Sequence, residues 1–283
     1  MAADTVGELD LREEQIDRIV RNFALKEFKL LPICTTVATS GWSNTYYQET
    51  DSDLTGGTGS AVAGVPRLAN FPYGQVSWTE TTEKILKYGM ESVISWEDQH
   101  TSTIDVMART LLRIARAVAS AVDTAIITEL NTTTNTTGAV ATWDNAVIAD
   151  RDPVQDILAA ISAMQIDNWD PLKGNCVIVL HPTNHKELLM NQSVRNAGQF
   201  YTSKVTSEGM INTICGLRII ITTAQTENTV TLAIEKDAMT WYEAAALTTH
   251  TIVDPGVKTT IRAFQVGVPV LINNNAAFKI TGC

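Results

Sequence analysis

The sequence predicts an α+β fold. Three observations carry that reading. Residues 102–130 form the strongest amphipathic helical pattern in the chain. Two alternating segments, Trp42–Tyr46 and Gln75–Thr81, flank a Gly-rich stretch in the manner of an extended β-hairpin. After residue 141, short apolar runs alternate with capped helices, and further strands close the chain.

Taken in order, residues 9–31 read as an amphipathic helix. Leu9, Ile16, Ile19, Val20, Phe23 and Leu30 recur at near-helical spacing, with charged residues between them. Pro32 is expected to stop the helix. Such a helix must dock, either on its own domain or on a neighbouring subunit.

Thr35–Pro66 contains no Lys or Arg. Its acids are Glu49, Asp51 and Asp53, and Gly41, Gly56, Gly57, Gly59 and Gly64 punctuate it. A structureless loop of this length is unusual inside a compact domain. A projecting hairpin over residues 38–76 is therefore expected, with a surface loop as the plainer alternative. A lone two-stranded arm is marginal in water and needs a partner surface.

Residues 82–98 continue as strand-like sequence. Ser102-Thr-Ile-Asp105 then has the form of a capping box, with Asp in the closing place. Ile104, Leu111, Val118, Val122 and Ile126 lie along one helical face. A helix ending near Leu130 would be ~43 Å long at 1.5 Å per residue, a strut. Arg109, Arg113 and Arg116 recur at i, i+4 and i+7 as a basic stripe. This is a solvated or salt-bridged face, or a contact with nucleic acid or an adjacent subunit.

Asn131–Gly138 reads as a polar linker. Pro153–Ile166 reads as a helix, with Asp152 as N-cap and Pro153 at the first helical position. Asn175–Leu180 is a buried strand, and His181-Pro-Thr-Asn184 turns from it into a helix around His185–Met190. Gly216–Ile221 and Thr229–Ile234 are further strands. Thr249–Ile280 reads as strands divided by turns at Asp254-Pro-Gly256 and Val268-Pro269.

Composition narrows the function. Of 283 residues, 45% are hydrophobic and 18% charged, a balance that supports a sizeable core. The net charge of −10 opposes general nucleic-acid binding, which needs a basic surface. Cys34, Cys176, Cys215 and Cys283 are far apart, so neither a zinc site nor a disulfide framework is signalled. A reducing compartment is the simplest reading. No apolar run approaches the roughly 18 residues of a membrane span, and no secretory signal opens the chain.

Chemical motifs are equally sparse. His181 and His185 stand at metal-ligand spacing, but Pro182 pushes His181 out of the helical region. A strand-to-helix turn is the better reading, and no metal is expected. Gly56-Gly-Thr-Gly59 lacks the Gly-Lys-Ser/Thr ending of a phosphate loop. Cys176 sits in an apolar run, as an inert core thiol would. No catalytic residue and no cofactor is implied, and an enzyme is not expected.

An architecture without a site remains, and its order resembles the major capsid proteins of tailed phages, the Hong Kong 97-like fold family. Val177-Ile-Val-Leu-His-Pro182-Thr-Asn-His-Lys-Glu-Leu188 is similar to that family's strand, turn and helix, with His181 in the place of an Asn. Ala197-Gly-Gln-Phe-Tyr201 resembles its Gly-x-Tyr segment. Ile214-Cys-Gly216-Leu-Arg-Ile-Ile-Ile221 loosely resembles a following strand. Ile94-Ser-Trp-Glu-Asp98, Ser102-x-x-Asp105 and Ala121-Val-Asp123-x-Ala-Ile126 resemble the borders of its spine helix.

The resemblance implies four parts. Residues 1–37 would be an N-terminal arm, and 38–76 the extended β-hairpin loop that lies across a neighbour. Residues 77–140 and 248–275 would be a peripheral domain holding the spine helix, 102–130. Residues 141–247 and 276–283 would be an axial α/β domain that closes capsomers. The implied function is a shell of pentamers and hexamers around double-stranded DNA, held without tight or specific binding. Portal and a separate scaffolding protein are the implied partners; with the arm-like helix beginning within about ten residues of Met1, scaffolding would be supplied by a separate protein or not be needed. The implied place is the virion capsid, assembled in the host cytoplasm. Glu49, Asp51, Asp53, Arg67, Arg109, Arg113 and Arg116 are the expected subunit-interface residues. Thr35–Pro66 has no lysine, so a covalent cross-link from that loop is not expected. An encapsulin-type compartment around cargo enzymes is the runner-up within the same fold. A soluble α/β enzyme is the rival from another class.

Overall fold

The computed structural model describes residues 18–20, 27–49, 66–70, 78–101, 106–167, 169–173, 175–191, 194 and 213–283. The chain divides into two compact units. The first comprises Met1–Asn44, Glu83–Thr128 and Trp241–Val270; the second comprises Thr45–Thr82, Glu129–Thr240 and Leu271–Cys283.

The first unit is built on a four-stranded sheet in the order β1-β10-β11-β4. These strands are β1 (Thr35–Ala38), β4 (Leu86–Ser95), β10 (Met239–Asp254) and β11 (Lys258–Leu271). The turn between the two longest is Asp254-Pro-Gly-Val257, closed by Val257 N–H donating to the Asp254 carbonyl. Gly256 has φ 74°, as the third residue of a type II turn requires.

The Val268-Pro269 turn expected from the sequence does not form, because β11 runs straight through Pro269. Pairing of β11 with β4 ends at Gly267↔Leu86. Beyond that point this side of β11 needs no N–H, so a proline is tolerated. The strand expected over residues 82–98 also ends early. Helix α1 (Trp96–Thr101) begins there, with the Ser95 hydroxyl accepting from the Asp98 N–H at 3.1 Å and two acids in the first turn.

Helix α2 (Val106–Leu130) is the strut of the first unit and continues into the second. Leu111, Ile114, Val118, Val122, Ile126 and Leu130 are buried along one face. Arg109, Arg113, Arg116, Ser120, Thr124 and Thr128 are exposed along another. Ser102–Asp105 lies outside the described residues.

Ahead of β1, Arg18–Val20 and Glu27 are helical. The chain leaves the helix by Phe28, earlier than expected, and Pro32 sits inside a short 3-10 turn, Leu31–Ile33. The cause is Asp123 on α2. Its two carboxylate oxygens accept from Lys29 N–H at 2.9 Å and Leu30 N–H at 3.1 Å. Those donors are then lost to a continuing α-helix, whose carbonyls would otherwise take them.

The second unit holds a six-stranded sheet in the order β5-β12-β9-β6-β8-β7. Its strands are β5 (Thr136–Gly138), β6 (Cys176–Leu180), β7 (Thr213–Ile214), β8 (Leu217–Ile221), β9 (Thr229–Ile234) and β12 (Ala277–Thr281). Every residue of β6 is buried, as a continuous apolar run at a sheet centre should be. β6 pairs parallel with β8 and antiparallel with β9. Cys215 (φ 49°) and Gly216 (φ 81°) form the two-residue turn between β7 and β8.

Asn131–Gly138 is polar as read, but it is not a free linker. Thr134 N–H and the Thr133 hydroxyl both donate to the Asn274 amide oxygen at 3.0 Å. β5 then pairs parallel with β12. Helix α3 (Pro153–Ile166) carries the expected cap, with Asp152 Oδ1 accepting from Gln155 N–H at 3.1 Å.

Within α3, Asp156 is buried and holds the preceding loop. Its oxygens accept from Val140 N–H at 3.1 Å and from the Trp143 indole N–H at 2.9 Å. Asp156→Ala leaves the buried Trp143 indole N–H without its acceptor and removes the bond to the exposed Val140 N–H, a cost of about 1–3 kcal/mol. A lower denaturant midpoint with an unchanged slope is the expected result.

Candidate assembly interface

The hairpin strands form as expected. β2 (Ser43–Glu49) and β3 (Trp78–Lys84) make a two-stranded sheet. The hydroxyls of Thr45 and Thr82 meet across it at 3.0 Å. Asp51 and Asp53 lie outside the described residues, and Glu49 is the last residue of β2. Arg67 is exposed in a short turn where Ala69 N–H donates to the Pro66 carbonyl at 3.1 Å. Its neighbour Leu68 is fully exposed and has φ 65°. A left-handed backbone is uncommon at a residue other than glycine.

Helix geometry brings Arg109, Arg113 and Arg116 onto one exposed face. Arg116 is engaged within its own chain: its Nε donates to Glu27 Oε1 at 2.8 Å. This partner belongs to the N-terminal segment of the same chain, one outcome of a salt-bridged face. The pair is half exposed and contributes at most about 1 kcal/mol.

The most consequential polar residue of the first unit is Asp123. It is 4% exposed and clasps the chain just ahead of Pro32. Burial pushes its carboxyl above the ordinary Asp range, and the donated N–H bonds oppose that shift only in part. The Leu30 side chain is fully buried beside the clasp, and the Cys34 thiol donates to the Leu30 carbonyl. The sequence signal was an acid set among apolar residues of the buried helical face.

The histidine pair has no common face. His181 has extended backbone (φ −72°, ψ 147°) and caps helix α4 (Pro182–Met190), its ring nitrogen accepting from Thr183 N–H. His185 lies buried within α4, and burial holds its pKa below the usual histidine value. Cys34, Cys176 and Cys283 are buried, and desolvation pushes each thiol up to about 12. Thiolate is scarce at such a site, so none is an activated nucleophile. No helix among the described residues is long and apolar enough to cross a membrane.

Similar solved structures share this fold. A virus-like particle from Pyrococcus furiosus matches with a TM-score of 0.64 at 14% identity, over 95% of this chain and 99% of that one. The capsid of the cyanophage P-SCSP1u matches with a TM-score of 0.69 at 14% identity, over 89% and 87%. The mature capsid of bacteriophage PhiM1 matches with a TM-score of 0.66 at 13% identity, over 88% and 85%. No curated protein matches the chain by sequence. A family model described as phage capsid protein matches residues 79–280, more than two thirds of the sequence. The chain therefore belongs to the phage capsid protein family.

Proposed function

We propose that this phage capsid protein is the major shell subunit of a virion. It self-assembles into pentamers and hexamers and closes an icosahedral shell around double-stranded DNA. The family match over residues 79–280 is the observation that carries this reading. Its role is structural rather than enzymatic, assembly takes place in the host cytoplasm, and portal and a scaffolding protein are its partners. The first unit serves as the peripheral domain around the spine helix, and the second, apart from the hairpin, as the axial domain. The net charge of −10 suits a container that confines DNA without gripping it. A phage-capsid match does not favour a compartment for cargo enzymes.

Negative-stain microscopy of the purified protein tests the proposal. Closed shells are expected. A monomer at micromolar concentration under all assembly conditions would overturn it.

Subunit contacts are assigned to the hairpin, through Glu49, Asp51, Asp53 and Arg67, and to Arg109 and Arg113 on α2. Arg113→Glu is expected to lower the assembled fraction in light scattering. It should change subunit stability by no more than about 0.5 kcal/mol, since the side chain is exposed. Assembly at the wild-type level would remove Arg113 from the interface.

A further inference from the structure

We infer that the first turn of α4 is an acid-sensitive latch, in which His181 and His185 hold the helix and the Glu227–Asn228 loop together only while both rings are neutral. This goes beyond the shell reading and does not depend on it.

His181 serves as an acceptor. Pro182 has no N–H, so Thr183 supplies the first N–H of the helix, and His181 Nδ1 accepts it at 3.3 Å. The Thr183 hydroxyl stands 3.0 Å from the same nitrogen and donates to Glu227 Oε1 at 3.3 Å. In a neutral imidazole one nitrogen accepts; in the imidazolium both are donors. A proton on Nδ1 therefore ends the cap. It also sets a positive charge at the positive end of the helix dipole. The other partner within reach is the Glu227 carboxylate, 3.7 Å from Nδ1, with its side chain 66% exposed. A pair so exposed offsets little of that loss.

His185 follows one turn later, its backbone N–H bonded to the His181 carbonyl at 3.0 Å. The residue is 7% exposed, and its Nε2 has no hydrogen-bond partner among the described residues. Burial holds its pKa below the usual histidine value. A charged ring here meets no counter-charge, so the proton is accommodated when the turn opens to water. Both histidines thus act in one direction.

The turn also holds other segments. Asn184, fully buried, accepts from Asn228 N–H at 3.0 Å and donates to Glu187 Oε2 at 3.3 Å. The Asn228 carbonyl accepts from Gly282 and Cys283 N–H at 2.9 and 3.2 Å. Opening the turn therefore frees the loop between β8 and β9 and loosens the Gly282–Cys283 segment.

The charged groups around the turn are Lys186, Glu187, Glu227 and Asp144. Glu187 is lifted by burial and then by Asp144, so its proton uptake has the opposite sign. For His185 the unfolded chain binds the proton more tightly. Its stabilising share is present above the ordinary histidine value and is lost as pH falls through it.

Hydrogen exchange read by mass spectrometry on the full-length protein tests this. Protection of the α4 amides, corrected for the intrinsic exchange rate, should fall about tenfold from about pH 7.5 to about pH 5.5. The His181→Asn/His185→Leu double variant keeps an acceptor for Thr183 N–H and retains Glu187, but neither new side chain takes up a proton. Its α4 protection should not fall over that interval. His181→Asn alone, at the less buried site, should show a smaller fall than wild type. Protection that stays level in wild type overturns the inference without any variant. An equal fall in wild type and in either variant overturns it too, by assigning the effect to another group. The shell reading stands under each of these results.

Discussion

Gly267→Ala is expected to remove a large share of the protein's stability. A Cβ at this position would lie 2.4 and 2.6 Å from two indole carbons of Trp241, and 2.8 Å from the Tyr242 carbonyl oxygen. Neither can yield cheaply. Trp241 is fully buried, and Tyr242 belongs to β10, which is fixed between β1 and β11. Inserting one methyl group into such a site costs about 3 kcal/mol or more. A domain's whole stability is only about 5–15 kcal/mol. The control is Gly138→Ala, where nothing lies within 4 Å of the new Cβ. Its denaturation midpoint should stay near wild type while that of Gly267→Ala collapses. Coincident midpoints for the two variants would show that the Trp241 packing yields.

The second large effect is expected at Asp123. Asp123→Ala leaves the Lys29 and Leu30 N–H groups without their acceptor beside a buried helix face. The cost is about 2–4 kcal/mol, read as a fall in thermal and urea stability of the unassembled subunit. Shell assembly should fall with it, because the segment from Glu27 to β1 loses its anchor on α2. Asp123→Asn keeps one acceptor and should cost less than the alanine variant.

The pH dependence has a definite sign. The folded-state pKa of Asp123 is raised, so the folded protein binds this proton more tightly than the unfolded chain does. Between the ordinary Asp value and the raised value, stability from this group rises as pH falls. Wild type should therefore gain on Asp123→Asn as the solution is acidified through that window. Glu187, also raised by burial, acts in the same direction in the second unit. A wild-type advantage that shrinks on acidification would contradict the assignment.

Both large effects come from places where local pattern misled. Val266-Gly-Val-Pro-Val270 looks like a turn because glycine and proline punctuate it. In the fold it is strand: glycine is there to admit the Trp241 indole, and proline lies beyond the last β4 pair. The N-terminal helix was expected to run to the proline. It stops sooner because an acid 94 residues away takes one of its N–H groups. The Asn131–Gly138 segment read as a linker for the same reason, since its partners are Asn274 and β12. Each of these outcomes depends on a residue far along the chain.

What the sequence determined by itself was whatever depends on near neighbours. The spine helix was legible because Leu111, Val118, Val122 and Ile126 repeat at helical spacing and bury together. The cap at Asp152, the turn at His181-Pro182 and the strands Cys176–Leu180 and Thr229–Ile234 were legible from a few residues each. The order of these elements was enough to reach the fold family. Only the tertiary structure decided which strand stands bare at the sheet edge, that Arg116 answers Glu27, and that Asp123 clasps the arm. Helix and strand periodicity arises from backbone geometry within a few residues. Hydrogen-bond partners and bare edges arise from which distant segments meet, and no local pattern encodes that.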